Sequence, residues 1–412
     1  MLDSARGVAC LDDYIPYAGE EAVERIQTKA GNFRNAHVAH INSTYYGGGV
    51  AELLSSLTIL MNSAGVKTGW RTIQGSPDFF SVTKKMHNAL QSGEINLSDR
   101  KKEIYESVIR ENAMRIHLDH HDFVFIHDPQ PLPLITHYRK SMPWIWRCHV
   151  DLSSPNQQLV EYLRSFIEQH DAVALSSPLY KLDIATPQAR FLPSIDPFCI
   201  KNRDMSEKEV NERLDHYDIP RDLPIVTQIS RFDRWKDPEG VVRAFRKARE
   251  EVDATLVLLG NVALDDPEGE DVYQSLVQCR EERIIILSKQ DTALVNALQR
   301  KAAVVLQKSL REGFGLTVAE AMWKGAAVIG SDVGGIPQQI AHGENGFLVK
   351  SEDEAAEWIV KLLQDHDLRR RVQDRARATV RERFLLTASL ERYLDALAGF
   401  ETRFVFNGGE LL

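Results

Sequence analysis

The chain has 412 residues, too many for one hydrophobic core and comfortable for two domains of ordinary size. It is 43% hydrophobic and 26% charged, as soluble globular proteins are, and its net charge of −9 argues against general affinity for nucleic acid or anionic membrane. The acidic start MLDSARGVACLDDY lacks the basic, apolar form of a signal peptide, and runs such as Leu256–Leu259 are too short to span a bilayer. Cys10, Cys148, Cys199 and Cys279 stand far apart, as reduced thiols of a cytoplasmic protein would.

In chain order, short apolar runs alternate with segments of helical period, the pattern of βαβ units and a parallel sheet. The predicted strands of the first half are Ala36–Ile41, Lys67–Ile73, Phe123–His127, Trp144–Cys148, Ala172–Leu175 and Arg190–Leu192, with helices at Gly49–Ala64 and Arg100–His117. The adjacent His120 and His121, if on a strand, point to opposite faces and make a poor metal site. The proline-bracketed stretch Leu192–Pro197 reads as a linker, which sets domains at 1–198 and 199–385. Beyond it come strands at Ile225–Ile229, Thr255–Leu259, Arg283–Leu287, Ala303–Gln307 and Ala327–Gly330. Helices are expected at Glu239–Glu251, Asp271–Arg280, Asp291–Arg300, Thr317–Lys324 and Glu352–Asp365. A last helical stretch, Ser389–Phe400, is expected to return to the first domain within 386–412, and the final dozen residues to fray. Two such doubly wound α/β domains would face a central cleft, where folds of this kind bind ligands.

Three loops carry candidate chemistry. After the first strand, Asn42–Gly49 ends in three glycines that let backbone N–H groups approach an anion or sugar; it matches neither the Walker sequence nor G-x-G-x-x-G. After Ile225–Ile229, Arg231 and Lys236 can neutralise a diphosphate, though a solvated basic turn has the same spelling. After Ala303–Gln307, Glu312-Gly313-Phe314-Gly315-Leu316-Thr317 opens a helix that carries Glu320 one turn in, so two carboxylates can address different parts of one long ligand. A glycosidase would also use paired carboxylates, but it has no need of an anion cradle or an Arg/Lys pair.

Glu312 to Glu320 resembles the Glu-x7-Glu motif of retaining GT-B glycosyltransferases of family 4, and Arg231 and Lys236 match that family's diphosphate-binding pair. With His40–Thr44, His127–Pro131, Trp146–Asn156 and Arg311–Gly335, the set is similar to the trehalose glycosyltransferring synthases, over residues 36 to 400. Two departures are Arg234, where proline is expected, and Leu192 before a single proline. The resemblance implies a GT-B fold and transfer of glucose from UDP-glucose or ADP-glucose to a sugar acceptor, most simply glucose, giving trehalose with retention. No cofactor and no obligatory divalent metal is implied. Glu320 would hold the ribose. Glu312 and the amides of Gly313, Phe314 and Gly315 would hold the donor glucose. Arg231, Lys236 and the amides of Leu316 and Thr317 would face the diphosphate. His149 would contact the sugar near its reacting carbon; Gly48, Gly49, Asp128, Gln130 and Asp151 would serve the acceptor. The base would be read by backbone around Leu287–Gln290, and a homodimer is allowed. A trehalose phosphorylase, a sucrose or sucrose-phosphate type of synthase, and a non-catalytic sugar-nucleotide-binding regulator are the alternatives.

Overall fold

The computed structural model describes residues 9–46, 48–260 and 267–401; Gly47 of the triple glycine and the final stretch expected to fray lie outside them. The chain divides into two compact units, one built from residues up to Ser194 together with those from Leu386 onward, the other from Ile195–Leu385. The division falls a few residues before the proline-bracketed boundary read from the sequence. Ile195 already donates its N–H to the Phe384 carbonyl (2.8 Å) and bridges to Leu385 in parallel fashion.

Each unit contains, among the described residues, a six-stranded sheet whose paired strands all run parallel. In the first unit the strands are β1 (His37–Asn42), β2 (Lys67–Thr72), β3 (Phe123–His127), β4 (Trp144–Arg147), β5 (Ala172–Leu175) and β6 (Gln188–Arg190). Their order is β2-β1-β3-β4-β5-β6, which reverses direction at β1/β3. The second unit holds β7 (Ile225–Ile229), β8 (Thr255–Gly260), β9 (Ile284–Ser288), β10 (Val304–Gln307), β11 (Ala327–Ser331) and β12 (Phe347–Val349). Its order, β12-β11-β10-β7-β8-β9, is the 3-2-1-4-5-6 arrangement of dinucleotide-binding folds, with its reversal at β7/β10. Every residue of β3, β7, β8 and β10 is buried, because helices cover both faces of each sheet; that is why these strands are continuous apolar runs rather than alternating ones.

Caps fix where many helices begin. Ser76 Oγ accepts the Phe79 N–H ahead of Pro77–Leu90, Asn156 Oδ1 accepts the Leu159 N–H ahead of Gln157–Ile167, and Ser206 with Glu209 forms a capping box on Glu207–Asp215. The helix Leu386–Glu401 belongs to the first unit, as the sequence suggested. Tyr393 brings its ring against His40, Phe125 and Phe191, with centroids at 5.6, 5.0 and 5.3 Å, while Arg25 and Lys29 of the helix Glu20–Gly31 pair with Glu391 and Asp395. β6 begins two residues earlier than expected. His120 and His121 sit in a turn and not on a strand, so the argument from opposite faces does not apply to them; His121 instead stacks on His37 at 4.1 Å. No helix among the described residues is long and apolar enough to cross a membrane, and all four cysteines are free.

Candidate active site

Ligands of open α/β sheets bind beyond the carboxyl ends of the strands, where the strand order reverses. In the second unit the reversal lies at β7/β10, and the loops leaving those two neighbouring strands carry Arg231, Lys236 and Glu312. The loop after β7 is shaped by Asp233, whose carboxylate caps the short 3-10 turn Arg234–Lys236, and by Asp237 in the left-handed region (φ 44°), which caps the helix Pro238–Ala248. This folding brings the Lys236 ammonium to 2.7 Å from Glu312 Oε2. Gln307 Nε2 (3.0 Å) and Ser309 Oγ (3.1 Å) donate to the same oxygen, so a carboxylate that is only 9% exposed is held in one orientation by three donors. Arg231 is set apart from that cluster by its own partner, Asp233, at 3.0 Å, and its side chain stays largely exposed.

Gly315 takes φ 78° to open the helix Leu316–Trp323, a conformation that L side chains rarely adopt, and a Cβ there would sit 3.0 Å from Glu312 Cγ. Gly335 lies closer still to the loop: a Cβ would come within 2.6 Å of the Gly313 carbonyl oxygen and of Phe314 Cα. Phe314 is buried against Phe384, and the first turn of the helix presents N–H groups that have no acceptor within the helix. Glu320, in the second turn, is buried and lies 3.4 Å from the Lys201 ammonium. Behind it Lys324 is fully enclosed, donating to Asn202 Oδ1 (2.8 Å) and Gln299 Oε1 (2.6 Å), and burial pushes its ammonium down to about 7. A solvent-facing Glu320 is therefore ruled out by its position.

In the first unit the reversal lies at β1/β3, and the loops leaving β1, β3 and β4 carry the remaining candidates. Gly48 (φ 80°) and Gly49 start the helix Gly48–Ser63 and are exposed. Asp128 follows β3 in the left-handed region (φ 63°), and its Oδ1 accepts the His149 backbone N–H at 2.7 Å. Its carboxyl is pushed up to about 6 by burial, against the pull of that hydrogen bond and of Arg147. Gln130 is half-buried; Asp151 is buried and accepts the Ser153 N–H at 2.8 Å. His149 Nε2 lies 3.0 Å from His127 Nδ1, and His127 Nε2 lies 3.0 Å from His40 Nδ1. Trp144 and Trp146 are core residues, Trp146 donating its indole N–H to the Asp128 carbonyl (3.0 Å).

Sequence alone gives no role to His40, His127, Gln307, Ser309, Lys201 or Lys324. Their signal was slight: each is a polar residue inside or beside an otherwise apolar run, meaningful only once the strand order is known. Among the described residues no three His, Cys, Asp or Glu side chains cluster so as to hold a metal ion.

Residues 211–379 match the family described as glycosyl transferases group 1, and residues 40–182 the N-terminal domain of trehalose synthase. The trehalose-phosphate synthase (UDP-forming) of Burkholderia xenovorans, solved with glucose 6-phosphate, shares the fold at a TM-score of 0.69 and 14% identity, over 88% of this chain and all of that one. Two parallel α/β units with a basic, amide-lined helix mouth in the second thus define a glycosyltransferase of the GT-B fold. The trehalose synthase of Pyrococcus horikoshii is 43% identical over 96% of this chain and 98% of its own length, and that of Rubrobacter xylanophilus 39% identical over 92% and 94%. The chain belongs to the trehalose synthase family.

Proposed function

We propose that this glycosyltransferase moves glucose from an NDP-glucose, UDP-glucose or ADP-glucose, to free glucose and forms trehalose with retention at the anomeric carbon. The observation that carries the reading is the Lys236–Glu312 pair at the strand-order reversal of the second sheet, beside the Gly315-opened helix mouth. A cation and an oriented carboxylate a hydrogen bond apart suit the junction of a diphosphate and a hexose. Lys236 and Arg231, with the amides of Leu316 and Thr317, take the negative charge of the departing diphosphate, so a divalent metal is not obligatory. Glu312 and the amides of Gly313, Phe314 and Gly315 hold the glucose hydroxyls, while Glu320, steadied by Lys201, holds the ribose. A bare phosphate would leave Glu320 without a ligand, which favours nucleotide-dependent synthesis over phosphorolysis.

In the first unit His149 meets the donor sugar near its reacting carbon, and Gly48, Gly49, Asp128, Gln130 and Asp151 serve the acceptor. The donor C–O bond breaks ahead of attack, and the leaving diphosphate takes the proton of the incoming hydroxyl on the same face, so no carboxylate is needed as a nucleophile. Four free cysteines fit work in the cytoplasm. UDP-, ADP- and GDP-glucose offered against glucose, fructose 6-phosphate, glycerate and inorganic phosphate, with products identified by NMR, test the reading. The expected product is α,α-trehalose from glucose; transfer only to another acceptor overturns it. Glu312→Ala and Lys236→Ala are each expected to slow turnover by about 10²–10³ with unchanged circular dichroism.

A further inference from the structure

We propose that His40 and His127 are positioning residues: a hydrogen-bonded row His40–His127–His149, crossing from β1 through β3 to the loop after β4, fixes His149 as the tautomer that carries its proton on Nδ1. β1, β3 and β4 are consecutive in the sheet, and the two ring-to-ring contacts are both 3.0 Å. The His127 and His149 rings are stacked with centroids at 5.3 Å, and the His40 ring is held between Phe125, stacked at 5.0 Å, and Tyr393.

A neutral imidazole has one N–H and one lone pair, so His127 must donate at one end and accept at the other, and the whole row points one way. Burial lowers all three rings, His40 to about 3, and Arg147 adds to the effect on His127 and His149; the row is uncharged near neutral pH. Two directions remain. If protons point inward, His149 donates from Nε2, His127 donates from Nε2, and His40 is left with an N–H on Nε2. If they point outward, His40 and His127 donate from Nδ1, His149 receives on Nε2, and His40 Nε2 is a bare lone pair. His40 is fully buried and its Nε2 has no partner. A buried N–H without an acceptor is rarer and costlier than an unfilled acceptor, so the outward direction holds.

The consequence for transfer rests on the seat proposed for His149 against the donor sugar. With Nε2 occupied, Nδ1 is the ring nitrogen left for a ligand, and it meets a sugar oxygen as a fixed, neutral donor. An imidazolium there would oppose the positive charge that builds on the sugar; a freely exchanging tautomer would at times turn a lone pair toward it instead.

The full chain labelled with ¹⁵N-histidine tests this by long-range ¹H–¹⁵N spectra at neutral pH, the His149 ring being assigned by its loss in His149→Asn. The expected result is a protonated Nδ1 and a bare Nε2 on His149 in the free protein; the reverse assignment overturns the row's direction and needs no variant that could misfold. His127→Phe is expected to mix the His149 tautomers and lower kcat about tenfold, the worth of one hydrogen bond to the transition state, with the KM for glucose unchanged. His127→Gln, whose amide can both accept and donate, is expected to restore most of kcat. Equal loss in both variants, or none in either, overturns the positioning role. Addition of UDP-glucose or ADP-glucose should move the His149 Nδ1 signal. A silent Nδ1 with the expected tautomer removes the proposed seat of His149 while the row's direction stands.

Discussion

At the scale of single residues, Asp128 shows how a residue proposed for the acceptor site costs stability. Its backbone is in the left-handed region, its carboxylate accepts the His149 N–H, and burial raises its carboxyl from 3.8 to about 6. Between those two pH values the folded protein keeps a proton that the unfolded chain has released, so this group's contribution to stability is full below pH 3.8. It is lost as pH rises toward 6. Asp128→Asn keeps an acceptor for the N–H and tolerates the same backbone. It is expected to match the parent in thermal unfolding below pH 4 and to exceed it above pH 6, by at most about 3 kcal/mol, less whatever solvent screens. If the carboxylate holds the acceptor, the same variant raises the KM for glucose. A stabilised variant with an unchanged KM would take Asp128 out of the acceptor site.

At the scale of elements, the helix Leu386–Glu401 is tied to the first unit mainly by apolar packing. Leu390, Tyr393, Leu394 and Leu397 are buried, whereas the Arg25–Glu391 pair is half exposed and is worth little in solvent. Tyr393→Ala is expected to cost about 3–5 kcal/mol in chemical denaturation, against less than about 1 kcal/mol for Arg25→Ala. Comparable costs would mean that the ion pairs carry the attachment. This helix was legible because its apolar residues recur at helical spacing, and so were the strands buried on both faces. The helix His366–Arg383 was missed because it buries only Val372, Ala376, Thr379 and Val380, a stripe too narrow to stand out among its arginines. Gln157–Ile167, by contrast, carries a clear stripe in Leu159, Val160, Leu163 and Ile167 and is legible from its spacing, although it is not among the elements expected above. The three-residue β12 carries too short a pattern to register at all. For the candidate site, the loops that carry Arg231, Lys236 and Glu312 were readable as strand-to-helix connections, with Glu320 in the helix after the second. The contacts that orient them were not, since Gln307, Ser309 and Lys201 acquire meaning only from strand order and loop path.

At the scale of the whole molecule, the two units differ in how the chain builds them. Ile195–Leu385 is one continuous stretch, entered and left at adjacent points where Ile195 pairs with Phe384 and Leu385, while the other unit needs chain from both sides of it. The continuous unit has its own apolar core, running from Val226 and Phe245 through Leu306 and Ile329 to Leu363. Apart from His149, it also holds every residue proposed to grip the donor: Arg231, Lys236, Glu312, Gly313–Thr317 and Glu320. Residues 195–385 expressed alone are therefore expected to fold cooperatively and to bind the nucleoside diphosphate of the donor, with heat measurable by titration calorimetry and removed by Lys236→Ala. They should catalyse no transfer, because His149 and the residues proposed for the acceptor lie in the other unit. A folded fragment that ignores both UDP and ADP, while the full chain binds one of them, would mean that the first unit supplies part of the nucleotide site and that the donor residues have been assigned too narrowly.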